Sequence, residues 1–551
     1  MRSHPAPPAR RTHDVVNQPP PLADYNAWQH DPWLPAAVAN EGGGWVADEA
    51  SSVGAYAGSA EMQRLADEAN RHGPELAAFD RQGRRIDEVR YHPAYHELMR
   101  VAFGAGLHSR AWTAPQPGGF VARAALNYLW NQGENGTSCP VTMTFAAVQV
   151  INGRADLAAE WLPKLLASAY DPRPVPVTGK LAATVGMAMT EKQGGSDLRT
   201  NATVAVAAGA GWHALAGHKW FCSAPMSDAF LTLARAPEGI TCFFVPRSLP
   251  DGTRNPFHIQ RLKDKVGNRS NASSEIEYDG TLALQVGEAG RGIGTLIEMA
   301  HLTRFDIVVA AAGMMRGALN QALHHAAHRS AFGARLADQP LMQNVLADLA
   351  VEAEAALLLA FRLARAFDGQ GHDESERLLT RILTPVAKYW LCKRLPGFVG
   401  ECMECLGGNG YVEEAPIGRL YREAPLNGIW EGSGNVICLD VLRALEREPR
   451  ALEAFFAETS AAAHVDPRIS RFMDALGAEL GETAGQEARA RRLTEMLALA
   501  IQANLLARHS VPQVLDAFCV TRLAEEGGRA FGTLPARLDL AGIAARAALV
   551  R

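Results

Sequence analysis

The sequence predicts an α+β chain, mainly α, with a β-domain set between two helical regions. Three changes of texture carry this reading. Up to about residue 183, apolar side chains recur at spacings of three and four, the signature of amphipathic helices. Near residue 184 the chain becomes a series of short segments rich in β-formers and punctuated by Gly, Pro and Asp. From Thr295 it becomes Ala- and Leu-rich again, in stretches long enough for a helical bundle.

Residues 1–40 are Pro-rich, and NQPPPLADYNAW reads as an irregular arm rather than a helix. Residues 41–183 form a helical domain. AEMQRLADEANRHG is an amphipathic helix ending near Gly73, and AYHELMRVAFGAG begins another after Pro93. FVARAALNYLWNQ, PVTMTFAAVQVIN and DLAAEWLPKLLAS continue the pattern. Residues 184–286 form the middle β-domain, with ATVAVAA, WHALAGHKWFCS, AFLTLARA, ITCFFVP and ASSEIEYDG among its strands. Residues 287–448 are the bundle, in which the stretch from Thr295 to Phe332 supplies one long helix and MQNVLADLAVEAEAALLLAFRLARAF another. Residues 449–551 are a further helical segment, and no internal repeat has a fixed period.

At 551 residues the chain is too long for one ordinary core, and with 48% apolar residues it can bury a large one. A net charge of -5 from interspersed signs excludes a polybasic binder of nucleic acid or membrane held by bulk charge. Eight scattered cysteines point to a reducing compartment. Cys402 and Cys405 form a CxxC with no second pair at zinc spacing, so no metal site is expected. The first residues have no apolar core of a signal peptide, and no apolar run reaches about 18 residues. No membrane contact and a cytoplasmic location are expected.

Four motifs carry chemistry. MTEKQGGSD (189–197) combines Gly194 and Gly195, which let backbone approach a ligand, with the hydroxyl of Ser196; an ordinary turn is the plainer reading. GHKWFCSAP (217–225) clusters aromatics with Ser223 in a strand, able to wall a planar ring or simply to fill a β-core. ECLGGNGYVEE (404–414) reads as a helix cap and turn. In NGIWEGSGN (427–435), Glu431 is either a desolvated base beside an aromatic or an exposed turn carboxylate.

Taken in register, these motifs resemble the acyl-CoA dehydrogenases, which share the helical, β, helical order; that match runs over roughly residues 90–447. NQPPPL, RRIDEVRYHPAYH, SCPVTMTFA, RLKDKVGNRSNAS and LYREAPLNGIWEGSGNVICLDVLR, with the helical extension, resemble the AidB-like alkylation-response branch over essentially the whole chain.

The resemblance implies FAD and a homotetramer with flavin sites shared between subunits. It implies that Met189 and Thr190 line the flavin and that Gly195 and Ser196 lie near its phosphates. Phe221 takes the place of the aromatic over the ring, one position after Trp220, and Ser223 that of the hydroxyl at flavin N5. Arg329 and Phe332 match the partner-subunit contacts, with Gln339 standing in for a glutamine whose aligned position holds Pro340. Gly407, Gly408 and Asn409 match the dinucleotide turn, and Ser433 and Asn435 follow the acid toward the flavin. Glu431 would take the α-proton of an acyl-CoA while the flavin accepts the β-hydride. Arg304 matches an arginine on the substrate side, with a structural ion pair as the equal alternative.

Other constellations point less far. GEAGRGIG lacks the βαβ setting of a nicotinamide fingerprint, and no phosphate-loop motif appears. His324, His325 and His328 lack a carboxylate or cysteine to complete a metal site, and His92 and His96 flank a helix start. Arg261, Lys263, Lys265 and Arg269 form a basic stretch, read as a solvated loop or an anion contact.

The resemblance leads to an expected FAD protein of the adaptive response to DNA alkylation. It would bind double-stranded DNA and retain weak acyl-CoA (isovaleryl-CoA-like) dehydrogenase activity. Arg443, Arg489, Arg491 and Arg492 are the candidate phosphate contacts, although charges in 449–551 balance. The alternatives are a genuine short- or branched-chain dehydrogenase and a structural oligomer stabilised by its flavin.

Overall fold

The computed structural model describes residues 12–462 and 464–550. The first eleven residues of the Pro-rich arm lie outside them. From residue 12 the arm has no helix until Leu34, because its prolines withhold backbone donors. Helices α1 (Leu34–Asn40), α2 (Ala47–Ala57) and α3 (Ala60–Arg71) follow. Ser59 caps α3 by accepting from the Met62 N–H at 3.0 Å.

A hairpin that helical periodicity did not reveal comes next: β1 (Glu75–Phe79) pairs antiparallel with β2 (Arg85–Arg90). Buried Asp87 fastens it to the β-domain, accepting from the Ile259 N–H and from Arg254, both at 2.8 Å. Helices α4 (Pro93–Gly104), α5 (Arg110–Thr113), α6 (Gly119–Gly133), α7 (Ser138–Asn152) and α8 (Ala155–Leu165) complete the first helical region. His92 caps α4 through the Ala94 N–H, and His96 bonds to the Tyr170 hydroxyl at 3.0 Å, so both have structural tasks.

The β-domain holds β3 (Val185–Ala188), β4 (Val204–Gly209), β5 (Trp212–Ser223), β6 (Ala229–Ala236), β7 (Gly239–Pro246), β8 (Phe257–Leu262) and β9 (Ser273–Val286). The sheet closes on itself. β6 pairs with β4, β4 with β5, β5 with β9, β9 with β7, and β7 returns to β6. β3 and β8 add at the sides. Phe230, Phe243, Phe257 and Ile276 fill the interior.

The bundle consists of α9 (Gly292–His328), α10 (Pro340–Gly369), α11 (Glu374–Cys405), α12 (Ile417–Asn427) and α13 (Gly434–Arg447). A short hairpin of β10 (Ser330–Ala331) and β11 (Ala334–Arg335) separates α9 from α10. The extension adds α14 (Arg450–Ser460), α15 (Pro467–Gly481), α16 (Gln486–His509), α17 (Pro512–Phe518) and α18 (Leu540–Ala547). It shares one continuous core with the helices before it: Leu34, Leu126, Leu359, Leu497 and Ile543 belong to the same cluster. Buried Arg316 on α9 joins three distant parts, reaching Asp31 at 2.9 Å and the Ala547 carbonyl at 3.0 Å.

Candidate active site

Glu431 follows α12 in a turn that closes just before α13. Its φ is +56°, a left-handed conformation that a non-glycine residue holds only when its surroundings impose it. Two cations do so through the backbone. Arg304 on α9 donates from Nε to the Glu431 carbonyl at 2.9 Å, and Lys388 on α11 donates to the Gly432 carbonyl. The side chain is left for chemistry: Oε2 is buried and has no hydrogen-bond partner. Burial pushes the carboxyl pKa upward, while a hydrogen bond from Thr303 and the charges of Arg304 and Lys388 pull it partly back. A desolvated carboxylate with one oxygen unpaired fits a general base. Arg304 also forms an ion pair with Asp440 at 2.8 Å, which Arg381 shares at 3.1 Å. It is thus ion-paired and part of the site at once.

The MTEKQGGSD segment and strand β5 meet directly, since the Trp220 N–H donates to the Thr190 carbonyl at 2.8 Å. Asn201 holds the Met189 carbonyl at 2.9 Å. Gly195 sits against Thr190, where an added Cβ would come within 2.3 Å of its hydroxyl, so only glycine lets the loop close here. Met189 and Thr190 are half-buried, and Ser196 is exposed. Beneath the loop, buried Glu191 and Lys219 pair at 2.7 Å. The register of β5 against β9 shifts between Lys219 and Cys222, which separates the fates of the two aromatics. Lys263 lies 3.3 Å over the Trp220 ring and 4.8 Å over that of Phe221, and Phe221 stays half exposed. Ser223 is half-buried, with its Oγ 3.0 Å from that of Ser273.

The turn at Arg329–Phe332 and the turn at Gly407–Asn409 are brought together by the N-terminal arm. Arg329 donates to the Asn17 carbonyl, and Asn17 exchanges hydrogen bonds with Ser330 at 2.7 and 2.8 Å. The neighbouring Gln18 accepts from Asn409 at 3.1 Å. Phe332 has a φ of +52° and a fully exposed ring, and Gly407, Gly408 and Asn409 are exposed as well. Gln339 braces its own turn, donating to the Ala331 carbonyl at 2.8 Å.

The AidB N-terminal domain family matches residues 17–172, the acyl-CoA dehydrogenase middle domain 186–281, and the acyl-CoA dehydrogenase C-terminal domain 290–446. AidB of Escherichia coli (strain K12) is 43% identical over 520 residues, covering 94% of this chain and 96% of that protein. The chain belongs to the AidB-like acyl-CoA dehydrogenases. Acyl-CoA dehydrogenase family member 11 of Caenorhabditis elegans is 31% identical over 420 residues, 72% of this chain and 66% of the relative. Among solved structures, C. elegans ACDH-11 in complex with C11-CoA superposes with a TM-score of 0.85 at 26% identity, covering 95% of both chains. The structure titled Bd2924 apo-form gives 0.80 at 29% identity, over 90% of this chain and 99% of that one.

As an AidB-like acyl-CoA dehydrogenase, the protein is an FAD-dependent oxidoreductase. Its residues fit that cofactor: a half-exposed aromatic at Phe221, a glycine-tightened loop at Gly195, and a buried Glu431 oxygen awaiting a partner. Ser433 is exposed at the N-terminus of α13, and Asn435 accepts from Arg491 at 2.8 Å.

That last bond ties one candidate DNA contact, Arg491, to the start of α13. The other three arginines also have partners. Arg489 is occupied by the carboxylate of Glu479 and by the Glu482 and Ala484 carbonyls. Arg492 lies 3.4 Å from the same carboxylate with its side chain 71% exposed, and Arg443 lies 3.9 Å from Asp440.

Among the described residues no group of His, Cys, Asp and Glu is arranged to hold a metal ion, and no helix is long and apolar enough to cross a membrane. Cys402 and Cys405 are buried free thiols whose pKa values burial raises, which leaves them unreactive. His324 donates to the Pro20 carbonyl, and His328 to that of His324. Sequence reasoning missed Thr303, Lys388, Asp440 and the arm residues Asn17 and Gln18. Thr303 adjoins Arg304 in LTRFD, and Lys388 is a cation within the apolar stretch ILTPVAKYWLC of α11, a signal that was there to read.

Proposed function

We propose that this protein oxidises acyl-CoA thioesters between Cα and Cβ, with Glu431 as the base. The buried, unpartnered Oε2 of Glu431 carries the reading. Oε2 takes a proton from the α-carbon, and the electron pair left behind forms the new double bond as hydride leaves the β-carbon. Bound FAD supplies the acceptor for that hydride. Arg304 and Lys388 hold the base by its backbone, so its carboxylate swings free of them toward substrate. Burial raises its affinity for a proton, which brings it nearer the task of attacking a weak carbon acid. Met189, Thr190, Gly195, Ser196, Phe221 and Ser223 bind the flavin half of the cofactor. Gly407, Gly408 and Asn409 bind the dinucleotide, as do Arg329 and Phe332 toward a neighbouring subunit. The bared Phe332, Leu341, Tyr411 and Val412 support a homotetramer. Anaerobic mixing with isovaleryl-CoA tests the proposal. The flavin absorbance should bleach stoichiometrically in the parent and fall 10²–10⁴-fold in rate, about the contribution of a general base, in Glu431→Gln with FAD retained. Unchanged bleaching in that variant removes Glu431 from the role.

The chain-long match to AidB supports a second reading, a cytoplasmic role in the response to DNA alkylation with double-stranded DNA as partner. Glu479 sets a limit on it by engaging Arg489, while Arg492, 3.4 Å from the same carboxylate, stays exposed. DNA held by Arg491, Arg492 and Arg443 would make few phosphate contacts, so affinity would be low and its dependence on log salt shallow, roughly one unit of slope per contact. Fluorescence anisotropy with a labelled duplex across a salt series measures that slope; no binding at low salt removes the reading.

A further inference from the structure

The basic stretch Arg261–Arg269 divides its charges in the fold. Arg261 and Lys263 both pair with Glu275, at 2.7 and 2.6 Å. Arg269 is exposed and donates to the Lys265 carbonyl. Lys265 alone turns inward, and its ammonium donates to the Asn271 carbonyl at 2.6 Å and to Ser273 Oγ at 3.0 Å. No carboxylate within ion-pair distance neutralises it among the described residues, unlike its neighbours.

Ser273 faces Ser223 across the β5–β9 ladder, and the two hydroxyl oxygens are 3.0 Å apart. Either hydroxyl of the Ser223–Ser273 pair could donate, and Lys265 biases the order, because a hydroxyl that already accepts from a cation is the stronger donor. An ammonium can only donate, so Ser273 Oγ accepts from Lys265. In the favoured order its single proton goes to Ser223, whose oxygen accepts it. The proton of Ser223 is left to point away from Ser273, and Cys139 is the group it meets in the protein. That thiol is buried and raised to about 12 by loss of water, so it stays protonated and competes weakly for the bond.

The loop that carries Lys265 is rigidly seated. Gly267 packs against α12 so closely that a Cβ would come within 2.3 Å of the Arg422 carbonyl. Buried Glu423 accepts from both the backbone and the side chain of Asn268, at 2.5 and 2.7 Å. Burial lowers the Lys265 pKa to about 8, partly offset by Cys139 and Glu423, which keeps most of it charged at neutral pH.

We infer that Lys265 is a positioning residue which, through Ser273, fixes the Ser223 hydroxyl as a hydrogen-bond donor to the flavin ring. The inference rests on the reading of Ser223 as the flavin contact. A fixed donor at the ring favours the electron-rich reduced flavin, so the row raises the reduction potential. Without the ammonium, Ser273 is free to rotate and to take the Ser223 proton itself.

The test is the reduction potential of the FAD-bound protein, measured anaerobically against reference dyes. Lys265→Met should make the flavin about tenfold harder to reduce at fixed dye potential, which is about 30 mV for a two-electron couple. Lys265→Arg, which keeps a donor, should recover most of the shift. Ser273→Ala keeps the charge but cuts the row, and should reproduce the Lys265→Met value; the double variant should add nothing further. If Lys265→Met does not fold, Ser273→Ala decides alone. A parental potential in Ser273→Ala or in flavin-loaded Lys265→Met overturns the inference. Ser223→Ala separates the two layers. If it leaves potential and flavin spectrum unchanged, Ser223 does not touch the flavin and the underlying reading fails; if it shifts them while Ser273→Ala does not, only the row fails.

Discussion

Arg304 holds Glu431 by its main chain, donating from Nε to the Glu431 carbonyl at 2.9 Å while its NH1 reaches Asp440 at 2.8 Å. A cation that bonded the carboxylate itself would pin it and lower its basicity. Gripping the carbonyl instead stabilises the left-handed turn and leaves Oε2 unpaired. Arg304→Met should therefore lower kcat for flavin reduction by roughly 10–100-fold through misplacement of the base, with KM nearly unchanged. Stopped-flow bleaching over a range of acyl-CoA concentrations separates the two parameters. A change confined to KM would make Arg304 a substrate contact.

The protonation of Glu431 sets the pH dependence. Its pKa lies above the ordinary carboxylate value because burial disfavours the charge. Only the ionised form accepts a proton, so flavin reduction should be slow at acid pH and climb to a plateau as pH passes the raised pKa. The Thr303 hydrogen bond favours the ionised form. Thr303→Val should thus move the inflection to higher pH without lowering the plateau much. A shift to lower pH would contradict this account of the site.

Arg123 on α6 and Asp306 on α9 are both fully buried, joined by a bidentate pair whose second bond is 2.7 Å. Thr142 donates to the same carboxylate at 2.6 Å, and the guanidinium stacks 3.5 Å from the Phe145 ring. Asp306 lies two residues from Arg304, so this pair anchors the helix whose Arg304 holds the backbone of Glu431. Arg123→Met should cost about 3–5 kcal/mol, the usual penalty for stranding a buried charge. Asp306→Asn should cost less, because its amide oxygen still accepts. Urea unfolding of the FAD-loaded proteins gives both values.

The N-terminal arm ties together turns about 80 residues apart in sequence, the Asn17 side chain holding the Ser330 backbone and Gln18 holding Asn409. Asn17→Ala with Gln18→Ala removes side-chain bonds worth about 1 kcal/mol each, and should weaken FAD binding about tenfold. Fluorescence of released flavin on dilution reports the affinity. An unchanged value would mean that the turns order without the arm.

The order of helical, β and helical regions was legible because period and β-former content change along the chain. The β1–β2 hairpin was not. RRIDEVR is short and charged, and it becomes a strand because Asp87 bonds to the backbone of Ile259 far away in sequence. The choice between Trp220 and Phe221 was likewise beyond the sequence. A register shift in β5 and a lysine from the loop after β8, nearer Trp220 than Phe221, set how exposed each ring is. Arg489 and Arg492 looked like free bases in a one-dimensional reading. The turn between α15 and α16 brings both to Glu479.

By itself the sequence determined the order of helical and β regions, the family and the motif that holds Glu431, since these follow from local periodicity and from motifs whose residues adjoin in the chain. Tertiary structure alone decided what each of those residues does. It put Arg304 and Lys388 on the backbone of the base, turned Lys265 away from its basic neighbours toward Ser273, and joined the turns at Arg329 and Asn409 through the arm. The reason is physical: a side chain's charge, partner and donor direction are set by groups within about 3 Å, and those groups come from segments that only folding brings together.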